Sequence, residues 1–317
     1  MFHRRVTVFG GSGFIGRYLV KRLAAEGTVV RVAVRRPGDA DFLKPLGAVG
    51  QIVPVAANVR DADSVRTAVA GVEAVVNLVG ILQESGKQTF QEVQAQGAAN
   101  IAAAARDAGV DRLVQMSAIG ADAQSESDYA RTKAAGEDAV RTAFPEATIV
   151  RPSIVIGPED DFFNRFGQMA QLFPALPLIG GGTTRFQPVV VGDVADAFMK
   201  ILRDPGTAGK TYELGGPQIY TFRELMELML RVIQRKRRLI PLSFGLADFK
   251  ARFLEKLPNA PLTRDQVKLL RNDNVVGGTL PGLTDLGVTP TAIEVVIPTY
   301  LERFRKGGRF VPSRRGR

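Results

Sequence analysis

A tyrosine and a lysine four residues apart, Tyr129 and Lys133, are the side chains of this sequence best suited to proton transfer. On a helix the two would share one face. A neighbouring ammonium favours the phenolate and lowers the pKa of a tyrosine, so that the pair can exchange protons near neutral pH. Ser117, at the end of a predicted strand, would orient a carbonyl beside them. If the chain catalyses a reaction, these residues predict carbonyl chemistry.

A glycine-rich segment, residues 10–16, follows the first predicted strand and opens a helix. Gly10 permits a tight turn, Gly13 lets the backbone approach a pyrophosphate, and Gly16 lets the helix pack on the sheet. The helix N-terminus offers N–H groups and a positive dipole to the phosphates. The segment predicts a dinucleotide site made by Gly10, Ser12, Gly13, Phe14, Ile15 and Gly16.

Two arginines, Arg35 and Arg36, end the second predicted strand, where NAD-preferring proteins usually carry an acidic residue. Guanidinium groups suit the 2′-phosphate of NADP(H), which accepts paired hydrogen bonds. Arg17 could add a third cation. The alternative is that Arg35 and Arg36 are solvated surface residues. We expect NADP(H) in preference to NAD(H).

The composition excludes several other kinds of site. The chain of 317 residues has no cysteine and one histidine, His3, ahead of the first strand. Disulfides, thiolate chemistry, histidine base catalysis and multi-histidine metal sites are therefore not expected, and no metal site is predicted. Neither a signal peptide nor an apolar run long enough to span a bilayer is predicted.

Strands and helices must alternate to position these residues. Strands are predicted at residues 6–9, 28–34, 52–55, 74–79, 113–116 and 148–150, and helices at 14–25, 61–70, 90–108 and 129–142. This pattern predicts an α/β fold, a Rossmann-type doubly wound parallel sheet with a smaller, mostly helical C-terminal portion.

The C-terminal half is predicted to be richer in loops and helices. Residues 187–191 are predicted to return to the sheet as a strand, and 221–235 to form a helix capped by Thr221 and Glu224. Residues 1–155 and about 186–215 are assigned to the dinucleotide-binding domain. Residues 156–185 and 216–317 are assigned to the smaller portion, whose end, 303–317, is expected to be a flexible tail.

With these motifs in place, the sequence resembles the short-chain dehydrogenase/reductase superfamily over about residues 4–215. Gly10, Gly13 and Gly16 match its glycine motif, and Tyr129 with Lys133 matches its active-site signature. The resemblance implies that further segments line the cofactor, through Asn58, Leu78, Val79, Gly80, Pro152, Tyr129 and Lys133. Asn58 stands where many extended members carry aspartate, and its amide oxygen could still accept a bond from the adenine amine.

Segments in both halves resemble an atypical branch more closely, the nucleotide-binding accessory subunits of respiratory complex I and their alphaproteobacterial counterparts. They are residues 127–137, 143–147, 187–194, 262–267 and 280–287. The resemblance implies tightly bound NADPH with a structural role, other complex I subunits as partners, and a peripheral place on the cytoplasmic side of the inner membrane. The alternative is a free NADPH-dependent reductase acting on a carbonyl or quinone-like molecule, with Tyr129, Lys133 and Ser117 as catalytic residues.

The formal charge of +10 is concentrated in two stretches. Residues 231–256 hold eight Lys/Arg against two acidic residues, and residues 301–317 hold seven against one. The first stretch includes a predicted amphipathic helix, 244–257, whose apolar stripe would face either the core or a docking partner, an acidic protein or anionic lipid. Nucleic acid is not an expected partner, since no nucleic-acid module or basic-aromatic stacking surface accompanies the charge.

Overall fold

Runs of valine, isoleucine and leucine form the strands of the molecule, because a strand buried on both faces needs no polar alternation. The computed structural model describes residues 3–255, 257 and 260–308. In chain order the strands are β1 (Arg5–Phe9), β2 (Val29–Val34), β3 (Ile52–Ala56), β4 (Ala74–Asn77), β5 (Arg112–Met116), β6 (Thr148–Pro152), β7 (Val155–Ile156), β8 (Ala175–Ile179), β9 (Arg185–Phe186), β10 (Val189–Val190), β11 (Thr211–Leu214), β12 (Tyr220–Thr221) and β13 (Arg238–Leu242).

Seven of these strands form one parallel sheet in the order β3-β2-β1-β4-β5-β6-β11. The chain builds outward from β1 to β3, then crosses to β4 and builds outward in the other direction. In such sheets, ligands bind beyond the carboxyl ends of the strands at the point where the order reverses. The predicted Rossmann-type α/β fold is confirmed, and the reversal lies between β1 and β4.

Helices accompany the strands. They are α1 (Phe14–Ala25), α2 (Ala62–Val69), α3 (Gly97–Asp107), α4 (Asp128–Ala143), α5 (Asp161–Leu172), α6 (Val191–Arg203), α7 (Phe222–Val232), α8 (Phe244–Leu254), α9 (Arg264–Leu269) and α10 (Ile293–Leu301). A 3₁₀ segment spans Pro37–Leu46, and a π-helical segment, Gln91–Gln96, leads directly into α3. The predicted capping box is present, because Thr221 and Glu224 cap α7 reciprocally.

The chain divides into two compact units. The first unit contains the described residues of Met1–Pro152, Val191–Leu214 and Val276–Thr289, and it holds the seven-stranded sheet. The second unit contains the described residues of Ser153–Val190, Gly215–Val275 and Pro290–Arg317.

Val276–Thr289 lies in the first unit although it comes late in the chain and was assigned to the C-terminal portion by sequence. The reason is a set of bonds to the edge strand β11. The backbone N–H of Glu213 donates to the carbonyl of Pro281 (3.0 Å), and the N–H of Gly277 donates to the Glu213 carboxylate (2.7 Å). The segment therefore covers an edge that would otherwise expose unpaired backbone groups.

The prediction that residues 187–191 return to the sheet is wrong. Within this stretch β10 pairs with β7 in a separate two-stranded sheet. The strand that joins the main sheet is β11, whose Tyr212 pairs with Val150 in β6. Both stretches contain short β-branched or aromatic runs, and only tertiary pairing distinguishes them.

The second unit has its own apolar core, built by α5, α7 and α10. Phe163 on α5 and Phe222, which begins α7, are almost completely buried in it, as is Ile297 on α10. A smaller cluster lies under α8, where Ala247 and Ala251 pack with Ile179 and Val267.

At the C-terminal end, Arg305 is held by a bond from its Nε to the carbonyl of Val232 (3.0 Å), so residues 303–308 are part of the second unit. The remainder of the predicted tail, 309–317, lies outside the described residues. Among the described residues, no helix has both the length and the apolar character needed to span a bilayer.

Gly136 sits where α4 crosses the π-helical segment, and it provides a test of this packing. A Cβ at Gly136 would lie 2.4 Å from the carbonyl oxygen of Gln94, so we expect Gly136→Ala to destabilise the chain by about 1–3 kcal/mol, although alanine is the better helix former. Gly245 on α8 is a matched control, since a Cβ there would have no atom of the described residues within 4 Å. Urea unfolding should show a loss for Gly136→Ala and none for Gly245→Ala; equal effects would contradict the packing.

Candidate nucleotide-binding site

The turn between β1 and α1 is shaped by glycines. Gly10 has a φ of +76°, which L side chains rarely adopt. A Cβ at Gly16 would lie 2.3 Å from the carbonyl oxygen of Gly10, so only glycine allows α1 to begin this close to the strand end. The N-cap residue of α1 is Gly13, and no side chain in the described part of the chain caps this helix. The α1 N-terminus therefore presents backbone N–H groups and a positive dipole, as phosphate binding requires.

The segment after β4 passes beside this turn. The N–H of Leu78 donates to the carbonyl of Phe9 (3.0 Å), and a Cβ on Gly10 would lie 3.2 Å from the carbonyl carbon of Leu78. Asn77 fixes the segment through its amide, which donates to Gln115 (2.8 Å) and accepts from the N–H of Val79 (3.0 Å). The predicted cofactor residues Leu78, Val79 and Gly80 thus lie at the strand reversal with the glycine turn.

Tyr129 and Lys133 lie on α4, one turn apart, as predicted. The Tyr129 ring is half-buried and packs edge-on against Phe90, with ring centroids 5.8 Å apart. The Lys133 Nζ lies 5.8 Å from the centroid of the Tyr129 ring and only 3.1 Å from where a Cβ on Gly80 would be. The structure therefore brings Tyr129, Lys133 and the β4 segment together.

Lys133 is buried, and this burial lowers the pKa of its ammonium to about 8, against a partial opposing effect of the Glu137 carboxylate. A desolvated ammonium is a strong hydrogen-bond donor that lacks water around it. It is suited to bind the hydroxyl groups of a ribose.

Ser117 follows β5, and its backbone N–H donates to the carbonyl of Val150 (2.7 Å). Its side chain is buried, and the Oγ has no hydrogen-bond partner among the described residues. Buried hydroxyls are almost always bonded, and an exception calls for an explanation. A ligand oxygen or an ordered water at this position would provide one.

Pro152 ends β6 and is buried, and its carbonyl accepts a bond from the N–H of Ile119 (3.0 Å). Asn58 follows β3 in a tight turn, where its side-chain oxygen already accepts from the N–H of Arg60 (3.2 Å). An amide oxygen has two lone pairs, so Asn58 retains the capacity to accept a bond from an adenine amine.

The two arginines after β2 are exposed. Arg36 bonds to Asp39 (3.0 Å) with 82% of its side chain accessible. Arg17, on the first turn of α1, places its guanidinium over the Phe42 ring at 5.2 Å from the centroid. An exposed ion pair contributes little stability, so Arg36 can leave Asp39 and bind a phosphate with a small loss of free energy.

Glu137 also belongs to this region, although no motif in the sequence predicts a role for it. Its buried carboxylate accepts two bonds from Arg151 on β6, each 2.7 Å, and Arg141 lies 3.3 Å away. The hydrogen bond to Glu137 raises the pKa of Arg151. The sequence spacing indicates this placement of Glu137. Tyr129, Lys133 and Glu137 follow at intervals of four residues and so share the inner face of α4.

The glycine turn, the N-terminus of α1 and the buried ammonium of Lys133 fit a dinucleotide that extends from α1 to α4. So does the Ser117 hydroxyl, which has no hydrogen-bond partner within the ranges that the structure describes. Sequence comparison agrees with this geometry. Residues 6–215 match the model of the NAD dependent epimerase/dehydratase family. The chain belongs to this family.

Relatives extend the similarity beyond residues 6–215. The chain is 40% identical over 315 residues to the Arabidopsis thaliana protein NADH dehydrogenase (ubiquinone) 1 alpha subcomplex subunit 9, mitochondrial, covering 95% of this chain and 78% of the relative. The Mus musculus protein of the same name is 36% identical, covering 94% and 80%. A ceramide reductase from Caulobacter vibrioides is 33% identical, covering 75% and 73%.

Solved structures share the fold. The crystal structure of Citrobacter sp. triphenylmethane reductase complexed with NADP(H) matches with a TM-score of 0.70 at 22% identity, covering 93% of this chain and 99% of that one. At this identity the likeness shows the fold alone.

The lowered pKa of Lys133 predicts how stability depends on pH. The folded pKa of about 8 lies below the ordinary lysine value of 10.5, so the unfolded chain binds more protons between these values. Folding therefore becomes more favourable as pH rises through them. Below pH 8 the cost of burying the charged ammonium lowers the free energy of unfolding by its full amount, about 3 kcal/mol at most. We expect Lys133→Met to stabilise the nucleotide-free chain at pH 7 by up to that amount, with the gain shrinking towards pH 10.

Urea unfolding of the nucleotide-free chain across this pH range measures the effect. Lys200→Met, at an exposed position on α6, is the matched control and should show no such gain. A gain for Lys133→Met that does not change with pH would indicate better packing instead of removal of a buried charge.

Proposed function

We propose that the chain is an NADP(H)-binding accessory subunit of bacterial respiratory complex I, the NADH:ubiquinone oxidoreductase. The observation that carries the proposal is the extent of the similarity. Relatives named as subunits of NADH dehydrogenase match 94–95% of the chain, well past residue 215, where the family model ends. The match thus includes α7 to α10, which have no general part in dinucleotide binding.

In this proposal the nucleotide has a structural role, and the chain's own residues hold it. The α1 N-terminus binds the pyrophosphate, Arg35 and Arg36 bind the 2′-phosphate, and Asn58 accepts from the adenine amine. Tyr129 and Lys133 donate to the nicotinamide ribose. When bound, a nicotinamide supplies hydride-transfer chemistry, but the subunit makes no use of it.

The subunit is placed peripherally, on the cytoplasmic side of the inner membrane, where it contacts other complex I subunits and anionic lipid. The exposed cations among residues 231–256, such as Lys250 and Arg252, support this placement, because cations near such lipids contribute about 1 kcal/mol each.

A second candidate is a free NADPH-dependent reductase of a carbonyl or quinone-like molecule. Two observations favour it. The buried hydroxyl of Ser117 has no partner among the residues that the structure describes, and the chain is similar to a protein named ceramide reductase. In that case the Tyr129 hydroxyl would donate its proton to the carbonyl oxygen, and the Lys133 ammonium would favour the resulting phenolate. Ser117 would orient the carbonyl.

Affinity purification from the native host tests the two candidates. The tagged chain is extracted from membranes in mild detergent, its partners are identified, and the nucleotide released on denaturation is assayed. We expect complex I subunits and about one NADP(H) per chain. A chain recovered alone, which exchanges its nucleotide readily and loses NADPH oxidation when Tyr129 is changed to phenylalanine, would instead establish the reductase.

The preference for NADP(H) has its own test. Removing both guanidinium groups in Arg35→Ser/Arg36→Ser should weaken NADPH binding at least about tenfold, since hydrogen bonds to charged groups contribute about 1.5–3 kcal/mol each. NADH binding should change little, and calorimetry on the nucleotide-free chain measures both. Arg106→Ser, at an exposed arginine on α3, is the matched control. Equal weakening for both nucleotides would argue against a 2′-phosphate contact.

A further inference from the structure

The helix α8 exposes an apolar face. Leu246, Phe249 and Phe253 are 46%, 61% and 58% accessible, and Leu257, just beyond the helix, is 52% accessible. The spacing of three and four residues places the three helical side chains on one face. The rings of Phe249 and Phe253 lie edge-on with centroids 5.3 Å apart, so they form one continuous patch. Of the two alternatives for this stripe, the one in which it faces the core does not hold for these residues.

The opposite face of α8 anchors it in the second unit. Ala247 and Ala251 are fully buried against Ile179 and Val267, and Ser243 caps the helix. Phe244 packs on Gly180, where a Cβ would lie 2.3 Å from the ring. Small residues facing inward and large apolar residues facing outward are the reverse of a solvent-exposed helix. The fold thus holds this helix with its aromatic side accessible.

The charges on α8 are arranged around the aromatic face. Since successive helical residues advance by about 100°, Lys250 lies on one side of the Phe249–Phe253 face and Arg252 on the other. Both side chains are exposed. Asp248 lies one turn before Arg252 on the same flank of the helix. Glu255 is engaged by Arg264 at 2.8 Å, so two cations face one acidic residue beside the aromatic face. The partner of this face must therefore be both apolar and negatively charged.

We propose that α8 lies in the plane of an anionic lipid bilayer, with Phe249, Phe253 and Leu246 inserted at the level of the acyl boundary and with Lys250 and Arg252 on the phosphates. An apolar face with flanking cations on an otherwise anchored helix is the arrangement of an interfacial helix. An anionic bilayer presents phosphates on each side of the inserted rings. The cations on both sides of the apolar face match this arrangement. The inference rests on the peripheral placement in the proposed function and identifies the surface that contacts the membrane.

Vesicle flotation with the purified full chain tests the inference. The chain should float with phosphatidylcholine vesicles that contain phosphatidylglycerol, float poorly with phosphatidylcholine alone, and be released by salt. Phe249→Ser/Phe253→Ser should reduce binding at least about tenfold, because two large apolar side chains leave the bilayer. Lys250→Gln/Arg252→Gln should reduce it about fivefold for each cation removed.

Matched variants at other exposed positions distinguish the α8 face from general effects of hydrophobicity and charge. Phe173→Ser removes a phenylalanine that is 52% accessible and lies outside α8, and Arg106→Gln/Lys200→Gln lowers the net charge equally on other helices. Both should retain wild-type binding. The inference would be overturned if these controls lost as much vesicle binding as the α8 variants. It would also be overturned if the wild-type chain bound equally well with and without the anionic lipid.

Purification of the α8 variants from host membranes separates this inference from the proposed function. A wild-type chain that co-purifies with complex I but never binds vesicles would overturn the lipid contact and leave the function standing. If Phe249→Ser/Phe253→Ser then abolished that co-purification, the face would belong to an acidic protein neighbour. Vesicle binding without complex I subunits would overturn the function and leave the lipid contact standing.

Discussion

The buried ion pair between Glu137 and Arg151 is the interaction on which the geometry of the site depends. It joins α4, which carries Tyr129 and Lys133, to β6, which leads into Pro152. Buried pairs contribute little net stability, but removal of one partner leaves a charge without compensation and costs about 3–5 kcal/mol. The pair therefore specifies how α4 sits on the sheet more than it stabilises the chain. Lys133 lies one turn before Glu137 on the same helix, so the pair helps to position Lys133 against Gly80.

Much of this arrangement is visible in the sequence, because the features that identify it are local. The glycine turn, the strands before and after it and the Tyr129–Lys133 spacing each follow from a single short segment. The same holds for the capping box of α7. Residues 187–191 and Thr211–Leu214 are different, since both have strand composition and only pairing with β6 selects the second. The role of Glu137 also depends on a partner fourteen residues away.

The number of cations in a stretch of sequence does not show which of them are available to a partner. In the second unit Arg235 donates to the carbonyl of Phe304 (2.6 Å) and Arg237 to that of Ala170 (2.7 Å), so that both guanidinium groups hold backbone within the fold. Lys250 and Arg252, from the same basic stretch, are instead exposed beside Phe249 and Phe253. The sequence leaves the orientation of α8 open because alanines and phenylalanines alternate along it, and the fold buries the alanines.

Val276–Thr289 covers β11 but is synthesised late, and this determines when the first unit can finish folding. The sheet begins with Arg5, and His3 is bonded to Leu202, yet the edge of this sheet is closed by a segment that leaves the ribosome after most of the chain. Domains usually fold as they emerge during translation. Here the first unit stays incomplete until Gly277 to Gly282 have been synthesised, so a nascent chain shorter than this exposes the backbone of β11. Truncation from the C-terminus past this point therefore removes part of the nucleotide-binding unit itself.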